Sequence, residues 1–410
     1  MQHGRVDLGQ RSETVRRANL SAIVRGLHER GPLSRSELVT ATGLTRSAIR
    51  GLVGELAAAG LVVERPAPRL GTPGRPSPVV RVEPSATVVL AVELLVDSMA
   101  AAIVGLGGSP IEIRRVDRPR GHLAVERVVD DVVALTGPML RRVDRPLAGV
   151  GVAVAGVVRR SDGLVTMAPN LGWVDVPLGR RLAEALGLDV PIAVANDGDL
   201  GALAEHRRGA AVGVADVLYV SGEVGVGGGV IAGDLPLTGA AGFAGEIGHM
   251  PINPGGSPCR CGSIGCWETE VGEGALLALA GLPPDSGRTG IERVLAEAAA
   301  GTPTAVAALE HVARWLAIGL AGLVNVLNPR LIVLGAMHGR IYPAVRATVE
   351  AEFVRRTLPG PRSLVRIVPA TLGPNAPLLG AAELALEPVL ADPAAFLDRD
   401  HLPIRLASAS

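Results

Sequence analysis

Three cysteines, Cys259, Cys261 and Cys266, fall within eight residues in the stretch PCRCGSIGC, and His249 precedes the first of them by ten residues. Three thiolates and one imidazole complete a tetrahedral zinc shell with no position left for water, so the chemistry is structural and not catalytic. The interleaved glycines let the backbone fold round an ion. Three free thiols in a loop, or a Cys259–Cys266 disulfide with one thiol over, are the competing readings of the same residues. An odd number of cysteines in 410 residues argues for a reduced compartment, the cytoplasm, and favours the metal site.

A second kind of chemistry lies near the N-terminus. All 40 basic residues are arginine, which excludes Schiff-base lysines and the lysine of a Walker A loop. Residues 1–82 hold 13 arginines against six carboxylates, a surplus of seven, and the remainder carries the matching deficit. A basic module on an acidic body expects a polyanion as partner of the first segment alone. Within it Ser34 and Glu37 have capping-box spacing, Gly43 supplies a turn, and Thr45 caps a second helix running to Gly60. Ile49, Leu52, Val53 and Leu56 share one face of that helix and leave Arg46, Ser47 and Arg50 outward near its start. That is where a recognition helix meets the major groove. Arg35 and Thr45 complete the expected DNA contacts, and LVVE at 61–64 begins a wing strand. A small helical packing domain with a solvated arginine face is the alternative.

The elements that position these residues follow from punctuation and hydropathy. RPAPRLGTPGRPSP, residues 65–78, is too rich in Pro and Gly for regular structure and reads as a linker. Gly74-Arg75-Pro76 inside it has the form of a minor-groove hook, with Arg75 as the DNA contact, or is plain linker. Beyond it, apolar runs such as VVLAVELL (88–95), VPIAVAND (190–197) and RLIVLG (330–335) alternate with helical stretches, the pattern of sheets covered on both faces in an α/β architecture. No apolar stretch of about twenty residues is uninterrupted, and the N-terminus lacks the apolar block of a signal peptide, so no membrane partner is expected.

At this level of detail the chain resembles the ROK family (repressor, open reading frame, kinase) from about residue 14 to residue 388. The resemblance rests on GVGVAVAGVV (149–158), APNLGW (168–173), AND (195–197), EVGVGGGVIAG (223–233), AGEIGHM (244–250) and CRCGSIGCWE (259–268). It implies an actin-like (ribonuclease H-like) two-lobed module with a sugar in the cleft, and the winged helix-turn-helix in front matches the regulatory branch of the family. The implied domains are 1–64 for the winged helix-turn-helix, 65–85 for wing and linker, 86–197 plus 380–396 for the first lobe, and 198–379 for the second lobe with its zinc loop. The implied sugar contacts are Asn170, Asn196, Asp197, Glu246, His249 and Glu268, with the zinc loop fixing the last three relative to one another. Asp197 corresponds to the base of family kinases; alternatively it caps the strand-to-helix turn.

One departure bears on activity. Where family kinases carry an aspartate and a Gly-Gly-Thr turn toward ATP, this chain has Val92-Glu93-Leu94-Leu95-Val96-Asp97, and Glu223-Val224 replace a usual Gly-Thr before the second glycine loop. Backbone N–H groups that would meet phosphate are covered, and negative charge is added. The expectation is a non-enzymatic, sugar-responsive regulator, a repressor of carbohydrate metabolism or transport genes. It would take a monosaccharide effector and operator DNA as partners and act as a homodimer or homotetramer. The alternative is a sugar kinase with an appended DNA-binding domain.

Overall fold

A computed structural model describes residues 8–66, 77–121 and 123–397. The N-terminal module begins with α1 (Leu8–Arg30), followed by β1 (Leu33–Ser34), α2 (Arg35–Thr42), α3 (Arg46–Ala58), β2 (Val62–Arg65) and β3 (Val79–Val82). Both expected caps are present. Ser34 Oγ accepts from the Glu37 N–H while the Glu37 carboxylate accepts from the Ser34 N–H, and Thr45 Oγ1 accepts from the Ala48 N–H. Gly43 takes the left-handed conformation (φ 69°) that lets α2 stop and α3 start, and α3 ends at Ala58, two residues before the left-handed Gly60. Ile49, Val53 and Leu56 are fully buried against Leu20, Ile23, Val24 and Leu27 of α1.

β2 and β3 pair antiparallel from Val62↔Val82 to Arg65↔Val79, and β1 adds to β3. The Pro/Gly-rich stretch therefore joins the two strands of the wing. The connection to the next module comes later, after Val82. Nor are the modules separate bodies: α1 packs on α13 (Ala376–Ala391) and α14 (Pro393–Leu397), so the core of the winged helix is continuous with that of the first lobe.

The first lobe holds β4 (Val88–Leu94), β5 (Ser98–Gly105), β6 (Pro110–Asp117), α4 (Val125–Leu140), β7 (Leu147–Val154), β8 (Val157–Arg159), β9 (Leu164–Ala168), β10 (Trp173–Val176), α5 (Leu178–Leu186) and β11 (Ile192–Asn196). Its main sheet has the order β11-β7-β4-β5-β6; β8, β9 and β10 form a small separate sheet. Every residue of β4, β5 and β7 is buried, as the continuous apolar runs require when both faces are covered.

Helix α6 (Asp197–Arg208) leads to the second lobe, with β12 (Val217–Gly222), β13 (Val226–Ala232), β14 (Leu235–Pro236), α7 (Glu268–Val271), α8 (Glu273–Leu279), α9 (Gly287–Ala299), α10 (Pro303–Leu327), β15 (Leu331–Gly335), α11 (Ala336–Arg356), α12 (Pro359–Leu364) and β16 (Arg366–Pro369). Its sheet runs β14-β13-β12-β15-β16. Numbered from its own first strand, each main sheet reads 3-2-1-4-5, with strands 1, 4 and 5 parallel and strands 2 and 3 antiparallel to their neighbours. The same five-stranded unit thus occurs twice, which is the actin-like, ribonuclease H-like architecture. Among the described residues α10 alone is long and apolar enough to cross a membrane, and it lies in the core of the second lobe with Val312, Leu316 and Leu320 fully buried.

Candidate functional site

All six expected sugar contacts line one cleft between the lobes, open to solvent. Asn170 comes from the turn between β9 and β10, and Asn196 and Asp197 from the junction of β11 and α6. Glu246 precedes a single 3-10 turn of which His249 is the last residue, and Glu268 opens α7. The parallel pairing of β11 with β7 brings the ends of both strands to the cleft, so the chain turns into α6 at its edge.

The cap of α6 is Asn196, not Asp197. Asn196 Oδ1 accepts from the Gly198 (2.7 Å) and Asp199 (3.2 Å) N–H groups, and its Nδ2 donates to Gly156 O at 2.9 Å. One N–H of that carboxamide is left for a ligand. Asp197, freed from capping, has its carboxyl pushed up to about 6 by burial. Burial, reinforced by Asp197, Asp199 and Glu268, pushes Glu246 to about 7. Burial likewise pushes Glu223 to about 8, with the carboxylates of Glu93 and Asp197 adding to it. Carboxyl groups held near neutrality can donate as well as accept, which suits vicinal hydroxyls.

The cysteine loop closes one side of this cleft. One ligand atom each from His249, Cys259, Cys261 and Cys266 lies within 4.8 Å of the others. Cys259 Sγ is 3.7 Å from His249 Nδ1 and Cys261 Sγ is 3.6 Å from Cys266 Sγ. All three cysteines are free, at separations well beyond a disulfide bond of about 2.05 Å, so the disulfide alternative does not occur. Behind the loop, Glu270 accepts from Asn253 Nδ2 (2.7 Å) and pairs with His311 Nε2 (2.9 Å), tying the loop to α10. Toward the cleft, Glu268 Oε2 accepts from the Val226 N–H at 3.3 Å. A side chain on Gly225 would meet that carboxylate at 2.7 Å, which is why the glycine strand can approach so closely.

Several residues at this site were not singled out from the sequence. Arg260, the middle residue of Cys-x-Cys, reaches across the cleft mouth and donates to Asn170 Oδ1 at 2.7 Å. Arg120 joins Asp97 of the first lobe (2.6 Å) to Glu273 of the second, and Arg115 pairs with the buried Glu93 at 2.7 Å. Asp199, raised to about 7 chiefly by burial, adds a further carboxyl behind Asp197. Arg260 carried a signal in its place inside the cysteine motif and Asp199 in its place two residues after Asp197; Arg115 is set by the pairing of strands within the first lobe, and Arg120 by the meeting of two lobes distant in sequence.

On the winged helix, Arg46, Ser47 and Arg50 are exposed, as is Thr45, whose hydroxyl lies 3.0 Å from that of Ser47. Neither Arg46 nor Arg50 has an ion-pair partner among the described residues. Arg35 differs: it is half-buried and paired with Glu64 of β2 at 2.5 Å, which fastens the start of α2 to the wing. Arg75 lies outside the described residues.

Comparison with known proteins agrees with this arrangement. The chain is 28% identical over 379 residues to the xylose repressor of Bacillus spizizenii, covering 91% of this chain and 96% of that protein. It is 32% identical over 312 residues to the glucokinase of Streptomyces coelicolor, covering 71% of this chain and 95% of the kinase. A crystal structure of a ROK family transcriptional regulator, a homolog of the E. coli MLC protein, superposes with a TM-score of 0.75 at 25% identity, covering 92% of this chain and 98% of that one. Residues 89–388 match the ROK family as a whole, and the chain belongs to that family.

Proposed function

We propose that this chain is a sugar-responsive DNA-binding transcriptional repressor of carbohydrate metabolism or transport genes, which binds a free sugar in the interlobe cleft without phosphorylating it. The observation that carries the reading is the joining, in one chain, of a polar cleft lined by Asn170, Asn196, Asp197, Glu246, His249 and Glu268 to a winged helix that presents unpaired Arg46 and Arg50. Similarity to a xylose repressor over nine-tenths of both chains supports it, and with it an aldose such as a pentose as the proposed effector. Lobe closure on the sugar alters the spacing of paired winged helices, and so operator affinity, which requires a homodimer or homotetramer in the cytoplasm. The DNA contacts are assigned to Arg46, Ser47 and Arg50, with Thr45 and Arg75 in support; Arg35, held by Glu64, serves the wing instead.

His249, Cys259, Cys261 and Cys266 fit a structural zinc ion. A tetrahedron with Zn–S bonds of about 2.3 Å has edges of roughly 3.8 Å; two of the six donor separations, 3.6 and 3.7 Å, match them, and all lie within 4.8 Å. Zinc would supply rigidity and no reaction step. The imidazole of His249 serves the metal at Nδ1 while its ring lines the cleft, and the loop so fixed carries Glu268.

The glucokinase relative favours a second reading, an ATP-dependent kinase with Asp197 as base. Against it stands the β4–β5 turn. Leu95 and Val96 fill the place of a glycine turn, and Asp97 is held by Arg120. A phosphate brought there meets apolar side chains and a carboxylate in place of backbone N–H donors. A coupled ADP-release assay across a panel of aldoses tests this. Binding without sugar-dependent ADP is expected; ADP release at ordinary kinase turnover, abolished by Asp197→Asn, would establish the kinase instead.

A further inference from the structure

Helix α6 has the cleft at one end and the DNA-binding module at the other. Asp197 is its first residue, and Arg207 and Arg208 are its last, about 15 to 16.5 Å away at 1.5 Å per residue. At that far end lies a buried polar cluster. Glu383 of α13, 1% exposed, accepts from Arg207 Nη1 (3.0 Å) and Arg208 Nε (2.6 Å) and faces His28 Nε2 of α1 at 2.9 Å. The Gly107 N–H donates to His28 Nδ1 at 3.0 Å, and His28 Nε2 lies between the Glu383 carboxylate (2.9 Å) and Arg208 Nη2 (2.5 Å). Arg208 also donates to the carbonyl of His28 (3.2 Å), and Glu387 bridges Arg207 and Arg25 of α1 at 3.0 and 2.6 Å. Burial opposes the charge on Glu383, but His28, Arg208 and Arg207 outweigh it and hold the carboxyl far below its ordinary range.

The helices on either side of this cluster leave little play. A methyl group on Gly380 of α13 would sit 1.9 Å from the Leu200 carbonyl of α6, and one on Gly201 would sit 2.5 Å from the Tyr219 ring, so α6 and α13 cross in backbone contact against the second sheet. Gly108, at φ 77°, leaves the space that the Arg208 guanidinium fills. On its other face α1 packs Leu20, Ile23 and Leu27 against α3, and Arg16 of α1 is bonded to Glu55 of α3. A displacement of Asp197 is therefore carried along α6 to a closely packed buried polar network, where packed interiors resist continuous deformation.

We infer that His28, Arg207, Arg208 and Glu383 form the joint through which sugar binding at the start of α6 repositions α1 and with it the recognition helix; this rests on the sugar-responsive reading above. These are positioning residues, since none lines the cleft or lies on α3.

The test uses the full chain, D-xylose and D-glucose as probes, and a labelled duplex selected from a random pool by the wild-type protein. Sugar affinity is read by calorimetry and DNA affinity by anisotropy with and without saturating sugar. Wild type is expected to show a tenfold or larger effect of sugar on DNA affinity, within the range typical of allosteric coupling. Arg208→Gln should keep its sugar affinity within about twofold and its sugar-free DNA affinity within about threefold, while the effect of sugar on DNA falls below threefold. By reciprocity, DNA should also cease to alter its sugar affinity. Arg25→Gln, in the half-exposed pair with Glu387, carries the same expectation in weaker form should Arg208→Gln not fold. A folded variant that binds both ligands and retains the full wild-type effect overturns the joint alone. A wild-type chain that answers to neither sugar overturns the functional reading and the joint with it.

Discussion

Glu268 Oε1 lies 3.0 Å from Cys259 Sγ, so the proposed sugar contact and the proposed metal ligand are direct neighbours. As a thiol, Cys259 donates to that carboxylate oxygen; as a thiolate it cannot, and Oε1 becomes available to a hydroxyl. Removing metal with a chelator, or Cys261→Ser, should therefore weaken sugar binding by about 10- to 100-fold, the usual cost of disturbing the surroundings of a metal site. Elemental analysis should find one zinc per chain. Purified protein with no stoichiometric metal and full sugar affinity contradicts the assignment.

Arg260 spans the cleft mouth to Asn170 without ligating anything. A net hydrogen bond is worth about 0.5–1.5 kcal/mol, so Arg260→Ala should reduce sugar affinity by about 2- to 10-fold with metal content and melting temperature unchanged. Calorimetry beside elemental analysis separates this from loss of the metal loop.

Arg50→Ala should cost about 1–3 kcal/mol of operator affinity and relax preference at one base position if the side chain reads a base; a phosphate contact would weaken all sequences alike and lower the salt slope by about one. Arg35→Ala should instead act through the wing it holds by Glu64, lowering stability more than it changes sequence preference. Titrations of selected and scrambled duplexes at several salt concentrations distinguish these outcomes.

The cleft carboxyls set the pH dependence of the sugar-free protein. Burial raises Asp197 to about 6, Glu93 and Glu246 to about 7 and Glu223 to about 8, so the native state binds more protons than the unfolded chain between about pH 4 and pH 8. Their contribution to stability is greatest on the acid side of that window and declines as pH rises through it. Glu383, shifted downward, is lost only at pH well below 4. Glu223→Gln should accordingly melt higher than wild type at pH 8.5, with the difference shrinking by pH 5.5. Equal differences at both values would show that Glu223 does not titrate there.

Much of this was legible in the sequence because it is local. Helix caps at Ser34 and Thr45, the outward Arg46 and Arg50, and the His249–Cys259–Cys261–Cys266 set all depend on spacings of ten residues or fewer. The wing was harder: RPAPRLGTPGRPSP has the composition of a linker, and only the pairing of Val62 with Val82 shows that it joins two strands of one hairpin. The repeated five-strand topology left no sequence period, since its strands keep pattern and order without identity. Contacts between distant segments, such as His28 with Glu383 or Arg120 with Asp97 and Glu273, have no sequence signature at all.

The most direct test of the account is the affinity of the full-length protein for its selected DNA duplex, titrated with and without saturating sugar in wild type and in Asp197→Asn. Wild type should change by tenfold or more, and Asp197→Asn should keep a sugar-free affinity within about threefold of wild type but show no response. Unchanged DNA affinity in a wild-type chain that demonstrably binds the sugar would contradict it.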